Sequence, residues 1–386
     1  MEYRIYNNVS EIKISLGSGF GGKDLYELWQ LCFGDTDSYT DFYFEWKLKE
    51  NQIVSIYKGD RISSMLHLNP YLLRVQGRPV QANYIVGVAT RPEERRKGFM
   101  GQLLVQSFQE MYEKQMEFTY LMPAAEAIYL PYDFRIVYEQ EPWNKDLVEE
   151  QNRLGGASSA QIYELKVTDA KNIEDLVSFC NEILSSTYDI YVERNPYYFT
   201  ILLHEMYSCE GGILLCYEAD RLIGYASYMA EEKVYVTEMI YLPSKKAEVY
   251  HSISEFFHNV IGKEIYLRKA GSQIPAIMAR IVNWNSFIKY VKASEDMELI
   301  IKVSDPVITQ NNGVYSLLFT KEGCVSKITN KAPEIEADTA QLTRLFFDKM
   351  SRTELLEIIN GTKQESILAK IDKIKKYQKV FINDVV

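Results

Sequence analysis

Apolar residues in the first third of the chain follow a strand, helix and strand pattern. Residues 84–90 are β-branched and aromatic, which predicts a buried strand. Helical spacing then predicts a helix with an apolar face of Leu103, Leu104, Ser107, Phe108 and Met111. A second strand is predicted at residues 118–122. The segment therefore predicts a strand-loop-helix-strand unit, with the loop at the mouth of a sheet.

A weak internal repeat organises the first two thirds of the chain. Residues 57–62 and 217–222 each predict a strand, a tight turn and another strand. Both copies have apolar helices before this hairpin, and both have a further strand, a proline and a helix after it. The helices are predicted at 25–33, 39–48, 173–184 and 197–206, and the later strands at 84–90 and 234–241. We therefore expect a duplicated fold.

The last hundred residues have a different pattern of apolar positions, and this pattern predicts a separate α+β unit. A helix is expected near 276–290, strands at 297–303, 314–321 and 324–329, and helices at 339–350, 353–359 and 364–375. The apolar tail, residues 380–386, is β-prone and predicts a strand returning to the first unit, with a frayed end as the alternative. A length of 386 residues suggests two or three domains. We predict domains at 1–150, 151–285 and 286–386.

Composition limits the classes of partner. The chain has 43 basic and 53 acidic residues, a net charge of −10, which argues against nucleic acid and anionic membranes and favours cationic small molecules. Five cysteines without a CxxC pair argue against a disulfide framework or structural zinc, and the four scattered histidines suggest no metal site. No hydrophobic leader and no long apolar run is found, so we expect a soluble, cytoplasmic protein.

The loop between the first strand and its helix has the chemistry of a polyphosphate site. The first amides of a helix are unsatisfied and carry the positive end of its dipole. Gly98 lacks a Cβ, so the backbone could approach a pyrophosphate, and Arg95, Arg96 and Lys97 add formal charge. This pattern indicates a coenzyme A site. The alternative is a solvated basic turn before a surface helix.

The same loop resembles that of the GNAT superfamily of N-acetyltransferases, whose motif is Gln/Arg-x-x-Gly-x-Gly/Ala. Arg95, Gly98 and Met100 stand in the three marked positions. Met100 departs from the motif, and its side chain puts the close approach of the backbone to the pyrophosphate at this third position in question. The neighbouring Gly101 is expected to relax the same turn. The resemblance implies acetyl-CoA as co-substrate, with no metal. The predicted cofactor-binding residues are Val88, Ala89, Thr90, Arg95, Arg96, Lys97, Gly98, Phe99, Met100 and Gly101.

The second copy lacks this loop. Counting from the matched prolines, Pro92 and Pro243, places Val249 where Gly98 stands, with Ala247 and Glu248 in place of the basic residues. A valine Cβ would block the approach of a pyrophosphate. We therefore predict one coenzyme A site, with the second copy acting as scaffold and as one wall of the substrate cleft.

Over its full length the chain resembles the enhanced intracellular survival (Eis) family, most sharply at the loop and at the segment Glu126-Ala127-Ile128-Tyr129. The resemblance implies tandem GNAT folds plus a C-terminal sterol-carrier-like α+β domain. It also implies a primary amine acceptor, aminoglycoside-like or lysine-like, and a homo-oligomer, hexameric in the family. By the same resemblance Tyr129 is the catalytic acid, and the base is the carboxylate of the last residue, Val386.

The expected chemistry is direct attack of the amine on the thioester within a ternary complex. An amine with a pKa of about 10.4 must lose a proton, and the departing thiolate needs a proton donor. Backbone amides near Val88 are suited to stabilise the oxyanion. Asp35 and Glu126 are candidate carboxylates for a cationic substrate, with helix capping as the alternative. Two other functions stay open: an apolar-ligand-binding protein, or an inactive scaffold regulated by coenzyme A.

Overall fold

The structure is a computed structural model, and it describes residues 5–7, 10–16, 22–141, 143–154, 160–267 and 276–383. Its strands form one ten-stranded mixed sheet and two four-stranded sheets. The large sheet belongs mainly to the first predicted unit, and each of the other two units has a four-stranded sheet. The predicted fold class, a mixture of sheets and flanking helices in three units, is confirmed by this architecture.

A long antiparallel hairpin is the centre of the first unit. Its two strands, β4 and β5, are joined by a turn at Gln76 and Gly77, both with positive φ. The strands of this unit are β1 (Ile5–Asn7), β2 (Ser10–Leu16), β3 (Gln52–Lys58), β4 (Arg61–Val75), β5 (Arg78–Thr90), β6 (Phe118–Leu121) and β7 (Arg135–Glu139). Its helices are α1 (Gly22–Phe33), α2 (Asp37–Phe42), α3 (Phe99–Glu113), α4 (Glu126–Tyr129) and α5 (Trp143–Leu154), and a π-helical segment (Tyr43–Lys47) follows α2.

The predicted strand-loop-helix-strand unit is β5, α3 and β6. Helix α3 buries the apolar face that its spacing predicts, because Leu103, Leu104 and Phe108 are fully inaccessible to solvent and pack on the sheet. Strand β6 runs parallel to β5, as a βαβ crossover requires.

The second unit repeats this plan on a smaller scale. Its strands are β8 (Gln161–Glu164), β9 (Ile190–Val192), β10 (Gly212–Glu218), β11 (Arg221–Met229) and β12 (Tyr235–Tyr241). Its helices are α6 (Ala170–Thr187), α7 (Pro196–Ser208) and α8 (Lys246–Phe256). The predicted repeat is visible in the two hairpins, because β3–β4 and β10–β11 both shift register at the same step, before Tyr57 and before Tyr217.

The helix predicted near 276–290 is wrong. Residues Ala276–Ile281 form strand β13, which lies between β6 and β7 in the large sheet, and only Trp284–Ile288 form a helix, α9. All six residues of β13 are buried because the strand is inside a sheet covered on both faces. The strand is apolar except for Arg280 and has neither the alternation of a half-buried strand nor the period of a helix, so its pattern alone does not distinguish them.

The third unit is the predicted α+β fold. Its strands are β14 (Met297–Ser304), β15 (Gly313–Phe319), β16 (Cys324–Ile328) and β17 (Ile335–Asp338), and its helices are α10 (Thr339–Phe346), α11 (Arg352–Ile358) and α12 (Gln364–Ile371). The last strand, β18 (Val380–Phe381), pairs with β9, which itself pairs with β4 of the large sheet. The tail thus returns to the first sheet as predicted, up to residue 383. The domain bounds 1–150, 151–285 and 286–386 stay a prediction, and β9, β13 and β18 all join the first sheet.

Candidate active site

Strand β5 separates from its parallel neighbour near the middle of its length. Their ladder contains one pair, Tyr84 with Tyr120, and beyond it the β6 side of β5 is open within the described residues. A bulge follows on the other side, where Gly87 and Val88 together lie opposite Leu66 of β4. Gly87 has a φ of 62°, and a Cβ there would lie 2.7 Å from the Trp29 ring. The bulge therefore requires glycine, and it changes the direction in which the amides at the end of β5 point.

The loop after β5 presents a row of backbone donors. Within the described residues, none of the amides from 96 to 101 donates to a protein acceptor. Gly98 is the N-cap of α3, with a φ of 78° and no side chain to satisfy the first turn. Arg96 also has a positive φ, 63°. Successive amides bent through positive φ and continued into a helix N-terminus form an anion-binding concavity.

The charged side chains of the loop divide into a structural and an exposed group. Arg91 is buried, donates to the Ile62 carbonyl at 2.6 Å and pairs with Asp24 at 2.5 Å, which fixes the start of the loop. Lys97 pairs with Glu94 at 2.7 Å. Glu94 also accepts from Lys58, and these two hydrogen bonds lower the pKa of its carboxyl group. Arg95 and Arg96 are exposed, so they remain accessible to a bound anion.

The predicted cofactor-binding residues lie together, but they do not all face the same way. Val88 and Thr90 are half-exposed on one side of β5, whereas the Ala89 side chain between them is buried. Met100 is half-exposed in the first turn of α3 and packs against the core.

The expectation that Gly101 relaxes the turn is wrong. Gly101 is the third residue of α3 and has no positive φ, and a Cβ there would collide with the Tyr132 hydroxyl group. Its physical role is close packing of α3 against the segment that follows α4.

The second copy has a differently built loop. Helix α8 begins at Lys246, three residues after Pro243, whereas α3 begins at Phe99, seven residues after Pro92. Val249 is therefore inside the helix rather than in a loop, and it is fully buried. A Cβ placed on Gly224 would lie 2.7 Å from a Val249 methyl group. The valine packs against the sheet at this point.

Tyr129 is the last residue of the short helix α4, which follows β6 in the chain. Its side chain is 7% exposed, and its ring packs edge-on against Phe134 with centroids 5.9 Å apart. Burial raises the pKa of the phenol to about 12. The phenol therefore stays protonated at neutral pH.

A cleft of about 600 Å³ lies between the first two units, as the duplicated fold predicts. One wall is β4 around Tyr71, and the other is α7 of the second unit. Most of the surface is apolar or aromatic, and four carboxylates line it: Glu50, Glu193, Glu205 and Glu238. Met122, directly after β6, also lines the cleft.

Two of these carboxylates are held by arginines. Glu193 pairs with Arg74 through two hydrogen bonds of 2.8 and 3.0 Å. Glu238 is buried, pairs with Arg194 at 2.7 Å and accepts a hydrogen bond from the Tyr225 hydroxyl group. Sequence reasoning missed all four carboxylates, because three come from the second copy and no local motif marks them.

The predicted substrate carboxylates lie elsewhere. Asp35 is exposed in the turn between α1 and α2, where it accepts a hydrogen bond from the Trp29 indole at 2.8 Å, and Thr36 caps the following helix. Glu126 lies in the first turn of α4 and is half-buried. Neither residue lines the cleft.

The chain end approaches the same cleft. Asn383 lines it, donates to the Thr237 carbonyl at 2.6 Å and accepts from the Tyr138 hydroxyl group at 3.5 Å. The predicted base, Val386, lies outside the described residues.

Two family models match the chain. Residues 22–137 match the acetyltransferase (GNAT) domain, and residues 285–383 match the sterol carrier protein domain. The chain therefore contains a GNAT acetyltransferase domain and a C-terminal sterol carrier protein domain, and the prediction of an acetyltransferase is confirmed. No curated protein matches the chain significantly.

Solved structures share the whole architecture at low identity. A conserved protein of unknown function from Enterococcus faecalis V583, a probable N-acyltransferase, is 17% identical with a TM-score of 0.76, over 98% of this chain and 100% of that one. A GCN5-related N-acetyltransferase from Anabaena variabilis ATCC 29413 has the same identity and TM-score over 97% and 100%. Eis1 from Mycobacterium abscessus is 11% identical with a TM-score of 0.64, over 95% and 97%. At these identities the likeness concerns the fold.

The described residues contain no group of three or more side chains that could ligate a metal ion. None of their helices has the length and apolar character to cross a bilayer.

Proposed function

We propose that the protein transfers an acetyl group from acetyl-CoA to a primary amine by direct attack in a ternary complex. The observation that carries this proposal is the row of amides at residues 96–101 beside the exposed Arg95 and Arg96. Hydrogen bonds to a charged partner contribute about 1.5–3 kcal/mol each, so several aligned donors suffice for binding a pyrophosphate. The matching GNAT domain supports the same cofactor.

The residues around β5 have distinct roles in this proposal. Amides at the Gly87–Val88 bulge hydrogen-bond the thioester carbonyl and stabilise the oxyanion as it forms. Tyr129 donates a hydrogen bond, and then its proton, to the departing sulfur, and its raised pKa keeps that proton in place at neutral pH. The carboxylate of Val386 removes the proton of the amine. The approach of Asn383 to the cleft supports delivery of that carboxylate.

The acceptor amine occupies the cleft between the first two units. Its carboxylates attract a cation, and the tyrosine rings offer apolar and cation–π contact. The likeness to Eis1 supports an Eis-like protein and therefore an aminoglycoside-like or lysine-like acceptor. Assembly into a homo-oligomer and a cytoplasmic location belong to the same proposal.

The test is release of free thiol from acetyl-CoA, measured with a panel of aminoglycosides, polyamines and lysine peptides. Turnover with at least one amine is expected, together with a loss of 100-fold or more in kcat for Tyr129→Phe. Calorimetry should show one acetyl-CoA bound per chain. Absence of binding removes the proposal, and binding without thiol release for any amine favours the regulated scaffold instead.

A further inference from the structure

A fully buried arginine connects the third unit to the segment that carries Tyr129. Arg280 on β13 is 0% exposed, and its guanidinium group donates to both carboxylate oxygens of Asp305 at 2.7 Å. Asp305 lies after β14 in the third unit and is 1% exposed. Its oxygens also accept from the amides of Val307 and Ile308 and from the Asn311 side chain. The carboxylate is thus fixed from several directions.

The other end of the same guanidinium group holds the turn after α4. It donates to the Tyr132 carbonyl at 2.6 Å and lies 3.4 Å from the Asp133 carboxylate. Asp133 has a φ of 63°, a conformation that an L-residue rarely adopts without support. The guanidinium group therefore stabilises the left-handed backbone conformation at Asp133, four residues after Tyr129.

Ring packing extends this contact to Tyr129 itself. The Arg280 guanidinium group lies 4.8 Å from the centre of the Phe108 ring. Phe108 packs on Phe134 with centroids 5.9 Å apart, and Phe134 packs on Tyr129 at the same distance. The backbone amide of Phe134 also donates to the Tyr129 carbonyl at 3.4 Å. Both the turn and the ring contacts of Tyr129 thus lead back to Arg280.

The chain contains a second ion pair of the same kind that does not touch this turn. Arg78, at the start of β5, pairs with Glu117 through hydrogen bonds of 2.7 and 2.8 Å. It also lies 3.6 Å from the centre of the Tyr290 ring, next to the third unit. This pair has hydrogen bonds of similar length, but its side chains are 26% and 9% exposed and both belong to the first unit. It therefore serves as a control for the loss of an arginine–carboxylate pair away from the turn.

We propose that Arg280, held by Asp305, is a positioning residue that aims Tyr129 at the departing sulfur, so that the third unit sets the geometry of the reaction. The inference rests on the proposed function, in which Tyr129 is the acid. It assigns the third unit a role in catalysis through Asp305, independent of the chain end.

The test combines Asp305→Asn with Tyr129→Phe in a double-mutant cycle, using thiol release from acetyl-CoA. Asp305→Asn is expected to lower kcat at least tenfold with the KM for acetyl-CoA unchanged within twofold, and Asp305→Glu should restore part of the loss. In the Tyr129→Phe background, Asp305→Asn should cause no further loss, because no acid remains to be aimed. Glu117→Gln should leave kcat within twofold.

Several results would overturn this inference. An additive loss in the double variant, an equal loss in Glu117→Gln, or an unchanged kcat in Asp305→Asn each contradicts it while leaving acetyl transfer intact. Full activity of Tyr129→Phe contradicts both the acid and its positioning. If Asp305→Asn fails to fold, Arg280→Lys keeps the buried charge and takes its place in the same cycle, with the same expected non-additivity.

Discussion

Gly98→Ala is the sharpest test of the anion site at the start of α3. The residue has a φ of 78°, and a Cβ there would meet nothing within 4 Å. The substitution therefore creates no collision and acts through backbone conformation alone. Holding an alanine in the left-handed region costs about 1–2 kcal/mol. The loop relieves this strain by moving out of that region, which turns the neighbouring amides away from a bound phosphate.

The strain sets the upper limit on the loss of affinity. Because the bound loop can re-adopt the left-handed conformation at a cost of about 1–2 kcal/mol, Kd should weaken by up to about 5- to 30-fold. Isothermal titration calorimetry with acetyl-CoA measures this directly. Urea unfolding on the same samples separates a change in affinity from a change in stability.

Gly77→Ala is the matched control. Gly77 has a φ of 80°, and a Cβ there would also meet nothing within 4 Å, but it lies in the turn before β5, at the opposite end of the strand. Both variants should lose about 1–2 kcal/mol of unfolding free energy, and only Gly98→Ala should lose affinity. Equal affinities in the two variants would refute the assignment of the loop as the phosphate site.

Three further predictions concern other parts of the chain. Val249→Gly should lower the unfolding free energy by about 2–4 kcal/mol, because it removes a fully buried side chain from a helix, and calorimetry should still find one acetyl-CoA per chain. Removing residues 384–386 should lower kcat with little change in acetyl-CoA affinity, and an unchanged kcat would exclude the terminal carboxylate as base. Burial lowers the pKa of His67 to about 3, so between about pH 3 and 6.5 the folded chain binds fewer protons than the unfolded chain and loses stability as the pH falls. His67→Gln should reduce the difference in unfolding free energy between pH 5 and pH 7, measured by urea titration.

The loop and its helix could be predicted because their chemistry is local. The strand end, the basic residues and Gly98 are consecutive in the sequence, and each acts through its own backbone conformation. Counting from the prolines was less reliable, because it assumed equal loop lengths in the two copies. The shorter second loop places Val249 inside α8, so the lost site results from an earlier helix start as well as from the side chain.

The cleft could not be predicted in the same way. Its carboxylates come from segments more than a hundred residues apart, and Glu205 and Glu238 lie on elements whose local patterns are those of an ordinary helix and an ordinary strand. Strand β13 was missed for a related reason: its partners β6 and β7 precede it by more than a hundred residues. Long-range pairing decides its conformation, and its own sequence does not.

The duplicated unit therefore has a physical use even without an anion site. Helix α7 provides one wall of the cleft, and the buried Glu238 beside it is paired with Arg194 at 2.7 Å. A single GNAT unit would leave the β4 side of this space open to water, where an amine keeps its hydration and its proton. Under the proposed function, enclosure by the second unit, with the chain end brought in by pairing of β18 to β9, would give one acetyl-CoA site an enclosed acceptor pocket. The second unit does not need an anion-binding loop of its own, because it contributes one wall of the cleft and three of the four carboxylates that line it.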